Sequence, residues 1–339
     1  MSHCPRLEQL PAPPSGRSGW PWTIESAPAS ARAQNGARWP RFSIITPSLN
    51  QGGFLEETIR SVLLQGYPDL EYVVVDGGST DGSVDILHKY EPWLSSWVSE
   101  PDRGQSSAIN KGLRRLTGEV FNWINSDDLL LPGSLQAVGN QFRICSDAVI
   151  AGDVLYRYQD SPKEEKVRQE HLEFDQLVEF WNNTTSFQQP GIFIPLELMK
   201  QVGELDEEMH FAFDYELFCR LLSIAKVSYL RELVAAYRIH PASKSVSQSH
   251  RFLAEVCSAS RRYWSKVPDL DLPPTDPKGA GILFRVGCWQ VVHGDYKGIR
   301  LIGEALDKDP WRAVCSTLRY FPGWVSRTWA RRTAAKGGS

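Results

Sequence analysis

The sequence lacks any window approaching the roughly eighteen consecutive apolar residues of a membrane-crossing helix, so no such helix is expected. It also lacks the apolar centre of a secretory leader. Met1–Pro40 instead carries Pro5, Pro11, Pro13, Pro14, Pro21, Pro28 and Pro40. Cysteine is sparse, with six residues at positions 4, 145, 219, 257, 288 and 315. None forms a CxxC pair, and no Cys/His spacing suits zinc. Scattered cysteines of this kind read as reduced, buried thiols, and a cytoplasmic location follows. A basic excess is missing too. The net charge is -3, which argues against nucleic acid as a partner.

What is present is an ordinary soluble composition, 42% hydrophobic and 23% charged, over 339 residues. That length fits one large domain with a smaller appendage. Residues 1–40, rich in Pro, Ser, Ala and Gly, read as a flexible N-terminal arm, although Trp20, Trp22 and Trp39 suggest that parts of it dock. From Arg41 the pattern sharpens. Strands are expected at 42–47, 70–75, 93–99 and 120–124, with helices at 54–64, 83–90 and 106–116. Strands alternating with helices imply βαβ units and a mostly parallel sheet. Beyond Pro132, short strands are expected at 148–151, 154–158, 191–195, 227–230 and 235–239, and helices at 174–181 and 215–223. From His250 onward the chain reads as helical. A single segment, 294–310, resembles half of a tetratricopeptide hairpin. Residues 41–248 are thus expected to form one domain, and 249–339 a helical region.

Three strands end in polar clusters: Thr46-Pro-Ser-Leu-Asn50, Asp76-Gly-Gly-Ser79-Thr-Asp81 and Asn125-Ser-Asp127-Asp128. Open α/β sheets bind ligands outside the carboxyl ends of their strands, so these clusters coincide with the expected crevice. Adjacent carboxylates such as Asp127 and Asp128 repel each other without a cation. They suit Mg2+ or Mn2+, which would also hold diphosphate oxygens. The alternative is that Asp128 simply caps the next helix. In the Asp76 turn, glycines let backbone approach a ligand while the carboxylate accepts from a base or ribose; the turn could equally be a tight link with Asp81 as a cap. Asp102 and Arg103 could meet a nucleotide or its phosphates, with Asn110 and Lys111 aimed at the same crevice; a capped surface helix is the plainer reading. Asp214 opens a helix among aromatics, where a carboxylate can act as general base or merely as a cap. His240 could complete the metal site, since imidazole suits Mn2+, or be structural.

These segments, in this order, resemble the family 2 glycosyltransferases of the GT-A fold over about 200 residues. The resemblance implies an α/β fold with a Rossmann-like central sheet flanked by helices, and a helical C-terminal extension. It implies that Thr46, Pro47 and Asn50 lie under a nucleotide and that Asp76 binds the base, usually uracil. Ser79, Asn110, Lys111 and Asp127 join the donor-binding set, with Asp102 and Arg103 supporting the ribose and diphosphate. Asp128 and His240 would bind the metal, and Asp214 would be the catalytic base. Two departures stand out. The first Asp of a literal Asp-x-Asp is absent, since the motif reads Ser126-Asp127-Asp128, and Phe213 precedes Asp214 where Glu is common, which leaves Glu216 as a reserve base.

The parts imply an inverting, metal-dependent transfer of sugar from a nucleotide diphosphate donor, UDP-sugar favoured, to an acceptor hydroxyl. Surface polysaccharide or glycolipid assembly is the expected setting, with a saccharide or lipid-linked acceptor. Residues 311–339 interleave Trp and Tyr with six basic residues and no acidic one, which suits peripheral contact with an anionic inner membrane face or a helix docked on the domain. A nucleotidylyltransferase is disfavoured, because the loop after the first strand carries no basic residue. A non-enzymatic scaffold would need no base at Asp214.

Overall fold

The computed structural model describes residues 4–30, 37–178, 187–241 and 243, with scattered positions between 252 and 306. The chain divides into two compact units, Met1–Ser247 and Gln248–Ser339. In the second unit the described positions from 252 to 260 are helical, and Val256 and Ala259 are buried. The basic-aromatic segment 311–339 lies outside the described residues.

The first unit opens as the alternation predicts. β1 (Phe42–Ser48), α1 (Gly52–Leu63), β2 (Leu70–Asp76), α2 (Ser83–Tyr90), β3 (Ser96–Ser99), α3 (Gln105–Leu113) and β4 (Val120–Trp123) follow in turn. Every residue of β1, β2 and β4 is buried, which is why their sequences run apolar without alternation. β3, β2, β1 and β4 lie side by side and parallel. Side chains alternate between the two faces. Phe42, Ile44, Tyr72 and Val74 share a core with Leu55 and Ile59 of α1 and Leu87 of α2. On the other face Ile45 meets α3 at Gly112, where a Cβ would stand 2.7 Å from its Cδ1. A larger residue at Gly112 would push α3 off the sheet.

The second half is mixed. β5 (Leu129–Leu130), α4 (Ser134–Ile144), β6 (Val149–Tyr158), β7 (Glu164–Val167), α5 (Phe174–Val178), β8 (Ile192–Pro195), α6 (Leu196–Val202), α7 (Phe213–Leu222) and β9 (Val227–Ile239) complete the unit. β8 runs antiparallel between β4 and β6, and β9 pairs parallel with β6 and antiparallel with β5. The expected pairs 148–151 with 154–158, and 227–230 with 235–239, are each one strand. Gly152 pairs with Leu230 and Asp153 with Leu233, so Arg231 and Glu232 are extra residues that interrupt the apolar pattern without ending the strand.

Where the sequence reads as a flexible arm, residues 4–30 follow a defined path over α1. Arg60 of α1, fully buried, donates to the carbonyls of Pro11, Pro21 and Trp22 at 2.9–3.1 Å and lies 5.3 Å from the Trp22 ring. Trp20 donates to the carbonyl of Leu130 at 2.9 Å. The buried guanidinium needs acceptors, and the proline-rich segment supplies carbonyls with no competing strand partner.

Candidate active site

The polar clusters meet at one edge of the sheet because the strands end in register. Ser48 pairs with Asp76, and Asp76 with Ser99. Asp76 is fully buried. Its carboxylate accepts from the Gly78 and Ser79 amides at 3.1 and 2.8 Å, and from the Ser79 and Ser99 hydroxyls at 2.5 and 2.7 Å. It therefore folds the turn around itself, with Gly78 at φ +85. Asn50, at φ 52, ties β1 to that turn: its amide donates to Ser79 Oγ at 2.7 Å, and its side-chain oxygen accepts from Thr80 N at 2.9 Å. Asp81 accepts from Gly52 N at 2.8 Å and Ser83 N at 3.1 Å, satisfying amides at the starts of α1 and α2. Thr46 and Pro47 are buried, and the Thr46 hydroxyl pairs with Tyr72 at 2.9 Å.

Asp102 folds over this floor. A Cβ on Gly77 would stand 2.9 Å from its Oδ2, so glycine is what lets the two loops touch. Asp102 also accepts from Gly104 N at 2.8 Å, starting α3. Arg103 is exposed and pairs with Glu207 at 2.6 Å. Lys111 pairs with Glu100 at 3.0 Å. Asn110 does not face open crevice: its carboxamide bridges the backbone of Leu205, in both directions at 2.9 Å, and Glu207 at 3.0 Å.

The carboxylate pair separates by role. Asp127 Oδ2 stands 3.1 Å from His240 Nε2, and Asp127 keeps 20% of its side-chain surface exposed. Asp128 is buried and already used: Asn125 donates to one oxygen and the Arg238 amide to the other, both at 3.1 Å. Burial first, then the charge of Asp127, pushes the Asp128 carboxyl well above the ordinary carboxylate range. Asp128 is not a helix cap, since α4 starts after Gly133. His240 lies on Phe54, with ring centroids 4.6 Å apart at 27°. Arg238 covers the same ring at 4.9 Å. It donates to the Asp127 carbonyl, to Glu57 at 2.8 Å and to Thr58 at 3.0 Å.

A divalent ion with ligands at about 2.1 Å holds neighbouring ligands about 3.0 Å apart, so the Asp127–His240 spacing fits a two-ligand seat. Among the described residues no group of three His, Cys, Asp or Glu forms a complete site, so the remaining ligands would come from a bound anion or water. Asp214 is half-buried in the first turn of α7, one oxygen accepting from Tyr215 N at 2.7 Å. Glu216 is unsuited as a reserve base, because Arg220 holds it through three contacts of 2.8–3.1 Å. Phe54, Glu57, Thr58, Arg238 and Glu207 were not among the residues singled out from sequence. Two signals existed: Phe54, Glu57 and Thr58 share one helical face, and Arg238 alternates with His240 along a strand.

Residues 43–200 match the family model described as Glycosyl transferase family 2. A glycosyltransferase of Rickettsia typhi, itself uncharacterized, is 27% identical over 217 residues, covering 60% of this chain and 65% of its own length. Among solved structures, TarS residues 1–349 of S. aureus with UDP-GlcNAc aligns at TM-score 0.55 and 17% identity, covering 84% of this chain and 92% of that one. The mannosyltransferase PcManGT of Pyrobaculum calidifontis, in complex with GDP-Man and Mn2+, aligns at TM-score 0.50 and 17% identity, covering 88% and 87%. These likenesses carry the fold, which is the GT-A α/β fold. No helix among the described residues is long and apolar enough to cross a membrane.

Proposed function

Because the chain belongs to glycosyl transferase family 2, we propose that it transfers a sugar from a nucleotide diphosphate donor to an acceptor hydroxyl, with a divalent metal and with inversion. The observation that carries this reading is the Asp127–His240 pair, 3.1 Å apart at the strand-end crevice that also holds Asp76 and Asp102. Asp127 and His240 would hold Mn2+ or Mg2+, with Asp128 and Arg238 fixing the loop behind them. The ion would supply positive charge for the leaving diphosphate. The Asp76 turn and Asn50 would form the floor for the nucleoside, and Asp102 would reach the ribose. Uridine is favoured, and the UDP-GlcNAc bound by TarS supports it, although PcManGT takes GDP-Man. Arg103 and Lys111 would add cationic donors near the phosphates. Asn110 would act indirectly, through the loop it holds.

Asp214 would take the proton of the acceptor hydroxyl, whose oxygen attacks the anomeric carbon from the face opposite the nucleotide. One displacement inverts that centre. The acceptor would be a saccharide or lipid-linked hydroxyl in surface polysaccharide or glycolipid assembly, and residues 311–339 would bring the cytoplasmic enzyme to an anionic membrane face. A thermal-shift panel of UDP, GDP, dTDP and CDP, each with and without Mn2+, tests the donor reading. A metal-dependent shift with one nucleotide names the donor class. No shift with any of them would overturn the reading.

A further inference from the structure

Glu207 stands outside the strand-end clusters, yet its carboxylate holds both Arg103 and Asn110. The segment between α6 and α7 is held at three places from α3 and the residue that caps its C-terminal end. Asn110 bridges the Leu205 backbone twice. Arg114 forks onto Glu204 at 2.7 and 2.5 Å. Ser106 donates to the carbonyl of Met209 at 3.4 Å. Glu207 sits in the middle. Its side chain is 15% exposed, and Asn110 donates to one oxygen at 3.0 Å. That hydrogen bond first, with a further one from Ser107 and the charges of Arg103 and Arg114, outweighs burial and holds the carboxyl below its ordinary value. Glu207 is thus a fixed anion.

Its other oxygen takes Arg103 at 2.6 Å. Arg103 is the solvent-exposed partner, with 76% of its side chain exposed and Glu207 as its ion-pair partner among the described residues. Arg103 follows Asp102, whose carboxylate touches Gly77 in the nucleoside floor. A diphosphate arriving there offers Arg103 a second, more highly charged acceptor with matching fork geometry.

We propose that Glu207 is a positioning residue that competes with the donor diphosphate for Arg103, holding the guanidinium aside until a nucleotide diphosphate arrives. The inference rests on the donor-binding reading above. An exposed ion pair is weak and salt-screened, so the competition is reversible and its effect modest. The loop that carries Glu207 runs directly into α7 and Asp214, so the exchange takes place on the segment that leads to the proposed base.

The test measures dissociation constants of UDP and GDP, with Mn2+, for the full chain and for Glu207→Gln, Arg103→Met and the double variant. Glu207→Gln keeps an acceptor for Asn110 and Ser107 but removes the charge. The expected result is roughly two- to fivefold tighter nucleotide diphosphate binding in Glu207→Gln. That gain should shrink in high salt and be absent when the Glu207→Gln change is made on Arg103→Met. A purely structural role would weaken binding or leave it unchanged. Unchanged or weaker binding in a normally melting Glu207→Gln overturns the proposal. If that variant unfolds, Glu207→Asp, which keeps the charge but withdraws it from Arg103, should give the same sign; no tightening there also overturns it. Failure of the unaltered chain to bind either nucleotide would instead overturn the donor reading and this inference with it.

Discussion

Replacing Arg238 by Met is the sharpest probe of how the Asp127–Asp128 loop is held. Arg238 is 12% exposed and its partner Glu57 is 18% exposed, so their pair at 2.8 Å is largely shielded from water. The same guanidinium reaches Thr58 at 3.0 Å and the Asp127 carbonyl, and it lies over Phe54. Burial tends to lower the Arg238 pKa, and the charges of Glu57, Asp128 and Asp127 oppose this. Removing the cation strands Glu57 and brings three carboxylates into mutual repulsion. Breaking a buried pair costs about 3–5 kcal/mol, and the residual exposure here favours the lower end, about 3 kcal/mol. For a unit of this size that corresponds to a fall in Tm of roughly 6–12 °C. Arg238→Met combined with Glu57→Gln removes the stranded charge and should recover about 1–2 kcal/mol. Differential scanning calorimetry of the wild type, both single variants and the double variant measures this. A loss under about 2 °C in Arg238→Met, or a double variant no better than the single, would refute the reasoning.

Two further outcomes follow. Asp214→Asn should retain metal-dependent nucleotide binding while transfer to an acceptor falls by about 10²–10⁴-fold, as loss of a general base does; a turnover assay beside the thermal shift separates the two. For Glu207, whose folded pKa lies below its ordinary 4.5, ionisation stabilises the fold above pH 4.5, and that contribution is lost as pH falls through the lowered value. The Tm difference between wild type and Glu207→Gln should therefore be constant near neutrality and close only below pH 4.5. A gap that closes between pH 7 and 5 would contradict the assignment.

The first half of the fold was legible because β1, β2 and β4 are buried on both faces and α1 and α2 carry one apolar stripe each. Both patterns are local. The second half was not, because β6 and β9 are held together across a register shift at Gly152 and Asp153, where the sequence shows only an interruption. In the site, Asp76, Asp102, Asp127 and His240 were visible as polar residues at strand ends. Which of the two adjacent aspartates faces His240 was not, since it depends on the Arg238 amide taking one oxygen of Asp128 across 110 positions of sequence. Asn110 reads as a crevice residue by spacing, yet it is drawn to Leu205, 95 positions away. Contacts of that reach leave no periodic trace.

The most direct test measures release of nucleoside diphosphate from UDP- and GDP-sugars with Mn2+, with a chelator, and in Asp127→Asn. The account predicts turnover with one donor that the chelator abolishes and that Asp127→Asn lowers by about 10²-fold or more. Turnover indifferent to both the chelator and the substitution would contradict it.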